Sequence, residues 1–252
     1  MTKILAVHAH PDDIETLAAG TLALLAGKAH EIMIATLTSG DCGSRDHSRE
    51  ETARIRVEEA RRAAAIIGAS YICAGFGDLS VFNGDVSRRR VTELLRSTRP
   101  DIVITAAPID YHPDHEATST LVRDACFAAP VPNYAAGPSQ PLDSIPYLYF
   151  VDPIGGRDRE GGEVSPDFAV DIGETMEAKK SMLKEHKSQL DWVIRQHGID
   201  DYIGSMESFA RWRGKMFGVE FAEGFRQYRN TPYPAAPVLQ QMLGAAILVK
   251  AR

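Results

Sequence analysis

The stretch "KILAVHAHPDDIE", residues 3–15, decides the fold. Its first half is a short apolar, β-branched-containing run. From Asp13 the apolar residues of "DIETLAAGTLALLAGKAH" (13–30) recur at helical spacing until Gly27 offers a stop, so the reading is strand, then helix. The same alternation continues outward. "EIMIATLT" (31–38) is a second strand, "SGDCGSRDHS" a loop, and "REETARIRVEEARRAAAIIG" (49–68) a long amphipathic helix closed by Gly68. "SYICAGF" (70–76) is a third strand, "DVSRRRVTELLRST" (85–98) a helix, and "DIVITAA" (101–107) a fourth strand set off by Pro100.

Strands that read as continuous apolar runs separated by helices belong in a parallel sheet covered on both faces. The expectation is an α/β, Rossmann-like fold with a mostly parallel central sheet and helices on both sides. From about 130 to 165 the chain turns rich in Pro and Gly around the apolar "YLYFV" (147–151), which predicts two surface loops flanking a further strand. Two more helices are predicted at "GETMEAKKSMLKEHKSQ" (173–189) and "SMESFARWRGKMFGVEFAEGF" (205–225). No internal repeat or linker interrupts residues 1–252, so a single domain is expected.

Twenty-eight basic against 34 acidic residues give a net charge of -6, which offers no general attraction for nucleic acid or an anionic membrane surface. Composition is that of a globular protein, with 44% hydrophobic and 25% charged residues, so a small-molecule partner is the expectation. The N-terminal apolar run is too short, and too soon charged, for a signal peptide or a spanning helix; a cytoplasmic location follows as an expectation. Cys42, Cys73 and Cys126 are odd in number and widely spaced, which suggests neither a disulfide framework nor a thiolate metal site.

Ligands in open α/β sheets bind beyond the carboxyl ends of the strands. His10 to Asp13 stands where the first strand hands over to its helix, and "DYHPDHEA" (110–117) stands just past "DIVITAA". Two strand ends therefore each deliver His and Asp. Catalytic zinc takes three protein ligands and keeps one position open, and two ligands from the first cluster with one from the second meet that count. The rival reading of Asp12 and Asp13 is a helix cap after Pro11, favoured by the helix dipole.

"AHPDDIE" with the later "HPDH" resembles the zinc-dependent de-N-acetylases of the LmbE-like or PIG-L type, which remove acetyl groups from N-acetylglucosamine conjugates. The resemblance extends to "LTSGDCG", "RVEEARRAAAIIG", "EAKKSMLKEHKSQ" and "FAEGF", and so to nearly the whole chain. It implies that His10, Asp13 and His115 ligate zinc, that Asp12 is the general base, and that His112 faces the developing oxyanion. A protonated His112 suits that task, with Asp114 beside it to orient the ring and raise its pKa; Asp114 as a helix cap is the alternative. Arg56 matches the family's helix arginine and is expected to bind substrate, the alternative being an intrahelical pair with Glu59. His186 and Gln189 match a family motif that a surface helix or packing contact also explains. Two histidines and one aspartate also accept iron or cobalt. The resemblance implies that some members are hexamers, so a homo-oligomer is open.

His8 departs from the family, which has a small residue there. Sharing a strand face with His10, it reads as a support for the ligands, a polar core residue or a ligand itself. "HAH" also keeps a two-metal amidohydrolase or phosphoesterase barrel as the rival enzyme, but that reading needs ligands at later strand ends, where His30, His47, His186 and His197 do not sit. A receiver-like signalling domain or other non-catalytic metal-binding domain is the non-enzymatic rival. No GxGxxG follows the first strand, so a dinucleotide site is not indicated. The residues that choose the aglycone are expected in the loops 41–49, 76–85 and 130–165.

Overall fold

The structure is a computed structural model that describes residues 1–190, 192 and 201–249. Strands β1 (Lys3–His8), β2 (Glu31–Thr38), β3 (Ser70–Phe76), β4 (Ile102–Thr105), β5 (Tyr147–Val151), β6 (Phe168–Asp171), β7 (Ala222–Tyr228) and β8 (Ile247–Leu248) form one sheet in the order β3-β2-β1-β4-β5-β7-β6-β8. The run from β3 to β5 is parallel throughout, whereas β7 lies antiparallel to β5 and β6, and β8 antiparallel to β6. The expected parallel sheet is thus present, extended by an antiparallel edge.

The helices are α1 (Asp13–Leu17), α2 (Ala19–Gly27), α3 (Arg49–Ile66), α4 (Asp85–Thr98), α5 (Pro113–Ala128), α6 (Met176–Lys184), α7 (Tyr202–Phe217) and α8 (Val238–Leu243). Alternate residues of a strand face opposite ways. Ile4, Ala6, Ile32 and Ile34 therefore pack with Leu22, Leu25, Ala63 and Met182 on one side, and Leu5, Val7, Met33 and Ala35 with Val91, Leu95, Leu121 and Val122 on the other. Burial on both faces is why these strands are apolar without alternation. From β1 the chain runs outward to β2 and β3, then crosses back to β4 on β1's other side. The carboxyl ends of β1 and β4 flank the resulting switch point.

Local chemistry sets the helix ends. Ser48 accepts the Glu51 N–H at the start of α3, and α4 stops at Arg99, which takes a left-handed φ of 49° before Pro100. Three expected helices differ from the structure. The helix expected over 13–30 is broken at Ala18, because the Gly20 and Thr21 N–H groups turn to the Glu223 carboxylate at 3.0 and 2.8 Å. The helix expected over 173–189 is interrupted at Glu185–His186: His186 enters the interior, and the helical turn that follows is capped by Glu59, which accepts the Ser188 N–H and hydroxyl at 2.9 and 2.6 Å. The helix expected over 205–225 ends at Gly218, in the left-handed region, and residues from Ala222 form β7. Among the described residues no helix is long and apolar enough to cross a membrane.

Candidate active site

Beyond His8 the first strand's chain stays beside β2, with the Thr38 N–H and hydroxyl both on Ala9 O, and then turns sharply. Asp12 makes the turn with φ of 99°, a strained conformation for a non-glycine residue. Its carboxylate makes no cap bond, so the rival cap reading fails for Asp12. Asp13 Oδ2 instead accepts the His10 N–H at 2.7 Å and closes the turn. Arg56 braces it from α3, donating to Pro11 O at 2.6 Å and Gly40 O at 3.1 Å, with Nη2 3.4 Å from Asp12 Oδ2. Gly40 is required there, since a Cβ would collide with the guanidinium.

At the end of β4 the second cluster opens α5 with Pro113 in its first turn. The N-cap is His112, whose Nδ1 accepts the Asp114 N–H at 3.2 Å. This corrects the expected role of Asp114: its side chain neither caps the helix nor orients His112. Its Oδ2 lies 3.3 Å from His10 Nε2 and accepts the Leu79 N–H at 2.7 Å. His112 is correspondingly not raised; burial and the neighbouring His10 and His115 lower its pKa to about 4. A neutral ring that accepts at Nδ1 carries its proton on Nε2.

The switch point brings the predicted ligands together. His10 Nδ1 and His115 Nε2 are 3.3 Å apart, while Asp13 places Oδ2 3.3 Å from the first and Oδ1 3.4 Å from the second. Donors about 2.0–2.1 Å from a tetrahedral zinc stand roughly 3.3 Å from one another, as the two imidazole nitrogens do, while Asp13 reaches them with different oxygens. Among the described residues of this site, His10, His112 and His115, and His8, Asp13 and His115, are the groups whose single donor atoms all lie close enough to hold a metal. The far nitrogen of each imidazole faces a carboxylate, Asp114 for His10 and Asp110 Oδ1, at 3.1 Å, for His115. Desolvation opposes charge here, yet hydrogen bonds to Asp114 and Asp13 raise His10 to about 9, and Asp13 and Asp110 raise His115 to about 10. Burial likewise opposes ionisation of Asp13, but His115 and His8 hold it well below the usual carboxylate range. The field of the site thus favours positive charge between these three side chains, as a cation site requires.

Asp12 stands beside this triad without joining it. It is buried, and burial pushes its pKa up against the pull of Arg56. Tyr202, the first residue of α7, donates its hydroxyl to Asp12 Oδ2 at 3.0 Å. His8 is fully buried with Nδ1 2.6 Å from Asp13 Oδ2, and burial lowers its pKa. His186 is buried too, with Nε2 3.0 Å from Glu15 Oε1, and Gln189 Nε2 donates to Gly43 O at 3.2 Å; neither is a surface residue. Glu59 is engaged by Ser188 and not by Arg56. His30 and His47 lie elsewhere, on Thr2 N and Glu51, and His197 is outside the described residues. The open sheet and these placements remove the barrel reading.

Asp110 and Tyr202 were not singled out from sequence. Asp110 lies in the quoted cluster, and the rule that a metal-facing imidazole needs a partner on its other nitrogen was the available signal. No local signal marks Tyr202, which is 190 residues from Asp12 in the chain. His10, Asp12, Asp13, Arg56, His112, His115 and Tyr202 open on one cavity of about 760 Å³.

The doubly covered sheet and its switch point make an LmbE-like α/β fold, and the histidine and aspartate side chains gathered there could hold a metal. Residues 5–126 match the family profile described as "PIG-L: GlcNAc-PI de-N-acetylase". It is 29% identical to the diacetylchitobiose deacetylase of Thermococcus kodakarensis over 240 residues, 89% of this chain and 82% of that protein. The structure of N,N'-diacetylchitobiose deacetylase from Pyrococcus horikoshii superposes with a TM-score of 0.78 and 26% identity, covering 94% of this chain and 87% of the other. A 4-oxalmesaconate hydratase of Pseudomonas putida is 26% identical over 188 residues, 71% of each chain.

Proposed function

We propose that the protein is a metal-dependent hydrolase that removes an N-acetyl group from an N-acetylglucosamine-type sugar or conjugate. The observation that carries this reading is the buried Asp12 carboxylate beside the converging side chains of His10, Asp13 and His115. His10, Asp13 and His115 hold the ion, zinc or alternatively iron or cobalt, which when bound supplies a Lewis acid that acidifies water and polarises an amide carbonyl.

Asp12 acts as general base, taking the proton of the attacking water and returning it to the departing amine. Tyr202 and Arg56 fix one of its oxygens, leaving the other for that transfer. Arg56 in this account bears on Asp12 and its turn, its guanidinium being already bonded to two carbonyls. His112 donates from Nε2 to the oxygen of the tetrahedral intermediate as a neutral ring. Asp114 and Asp110 hold the two ligating imidazoles in place.

The test is acetate release from a panel of N-acetylglucosamine conjugates with zinc supplied. Stoichiometric acetate and free amine are expected. Zinc-loaded protein that releases no acetate from any conjugate overturns the proposal, and hydration of an unsaturated carboxylic acid by the same preparation would align it with the hydratase relative.

A further inference from the structure

Beyond the triad, the cavity is walled by large apolar side chains, among them Leu79, Tyr111, Ile154, Met206 and Phe209. Leu79 is 61% and Tyr111 60% exposed. Bare apolar side chains gathered at a pocket mark a binding surface. Leu79 is also held there against its preference: its φ of 58° lies in the left-handed region, which disfavours a leucine. What holds it is its N–H on Asp114 Oδ2, the same oxygen that faces His10 Nε2. The loop after β3 is thereby tied to the support of a ligating histidine, and its leucine is fixed at the cavity.

Several polar groups of the wall are already engaged by the protein, while Thr16 Oγ1, Arg56 Nε and Asp78 Oδ1 are buried without a partner. Arg56 is bonded to Gly40 O and Pro11 O, Gln189 Nε2 to Gly43 O, and Asp78 Oδ2 accepts the Cys42 N–H at 2.8 Å. Among the described lining residues there is no lysine and no other arginine. An anionic or polyhydroxylated group laid against the Leu79 side chain would lose water there without gaining a hydrogen-bond partner from it. An apolar group would instead remove water from Leu79 and Tyr111.

We propose that the substrate carries an apolar aglycone, aryl or alkyl, seated against Leu79 and Tyr111; this rests on the deacetylase reading. The aglycone, on the carbon next to the one that bears the acetamido group, is not part of the bond that breaks, so changing it leaves the chemistry of the amide itself the same. Acetate release is to be compared for methyl, hexyl and phenyl β-glycosides of N-acetylglucosamine and for diacetylchitobiose. For roughly 60 Å² of extra apolar burial the expected gain in kcat/KM of phenyl over methyl is about tenfold. Leu79→Asn keeps the N–H on Asp114 and tolerates the left-handed backbone, and it should cut that ratio to about threefold or less. A wild-type phenyl-to-methyl ratio of one or below, or diacetylchitobiose as the better substrate, overturns the proposal while leaving the deacetylase reading intact. A ratio unchanged in both Leu79→Asn and Tyr111→Ala overturns it as well. Release from none of the four sugars overturns the deacetylase reading and this inference with it.

Discussion

Asp110 Oδ1 lies 3.1 Å from His115 Nδ1, so His115 is held by a carboxylate on one nitrogen and turns the other to Asp13 and His10. The other oxygen of Asp110 accepts the Ile154 N–H at 3.1 Å, so the same side chain also anchors a loop that lines the cavity. Asp110→Asn should weaken metal binding by about 10- to 100-fold with the fold retained. Competition with a chelator measures this; unchanged affinity would remove Asp110 from the metal site.

His8 touches Asp13 through Nδ1 and is shut away from solvent. With Asp13 and His115 it forms a group whose donor atoms lie close enough to hold a metal, so it is either a support for Asp13 or a ligand itself. His8→Ala is expected to retain one metal equivalent with reduced activity. A fall from two equivalents to one, read by metal analysis of wild type and variant, would restore the two-metal reading.

Tyr202 donates to the oxygen of Asp12 that Arg56 also approaches. A hydrogen bond to a charged group contributes about 1.5–3 kcal/mol, so Tyr202→Phe should lower kcat by roughly ten- to a hundredfold while metal content stays at the wild-type level. Steady-state kinetics on the zinc-loaded variant decides it, and an unchanged kcat would mean that the hydroxyl only packs.

Lys179 and Glu223 form a buried pair 2.5 Å apart, and Glu223 also takes the first N–H groups of α2. Lys179→Met leaves that carboxylate buried without its cation, at an expected cost of about 3–5 kcal/mol in urea unfolding. A loss under about 1 kcal/mol would show the pair to be dispensable.

The parallel half of the fold was legible because each strand is buried on both faces and each helix is periodic: the bounds of β2, β3 and α4 coincide with the expected segments. The C-terminal half was less legible. "VEFAEGF" extends a helical pattern, and what ends it is Gly218 together with strand partners, β5 and β6, that lie far away in sequence. The convergence of His10, Asp13 and His115 was legible because these residues come in two short clusters at strand ends. Their supports were not, since Tyr202 reaches Asp12 and His186 reaches Glu15 only through tertiary packing. The loops expected to shape the cavity each contribute, through Cys42, Leu79 and Ile154, but Tyr111, Met206 and Phe209 come from elsewhere.

The central claim is that Asp12 serves the reaction while its neighbour Asp13 serves the metal. The most direct test is zinc content and acetate release measured together on Asp12→Asn, with His115→Ala alongside. Asp12→Asn should keep zinc near the wild-type level and lose about 10²- to 10⁴-fold in turnover, whereas His115→Ala should lose the metal. Equal loss of zinc in both variants, or full turnover in Asp12→Asn, would contradict the account.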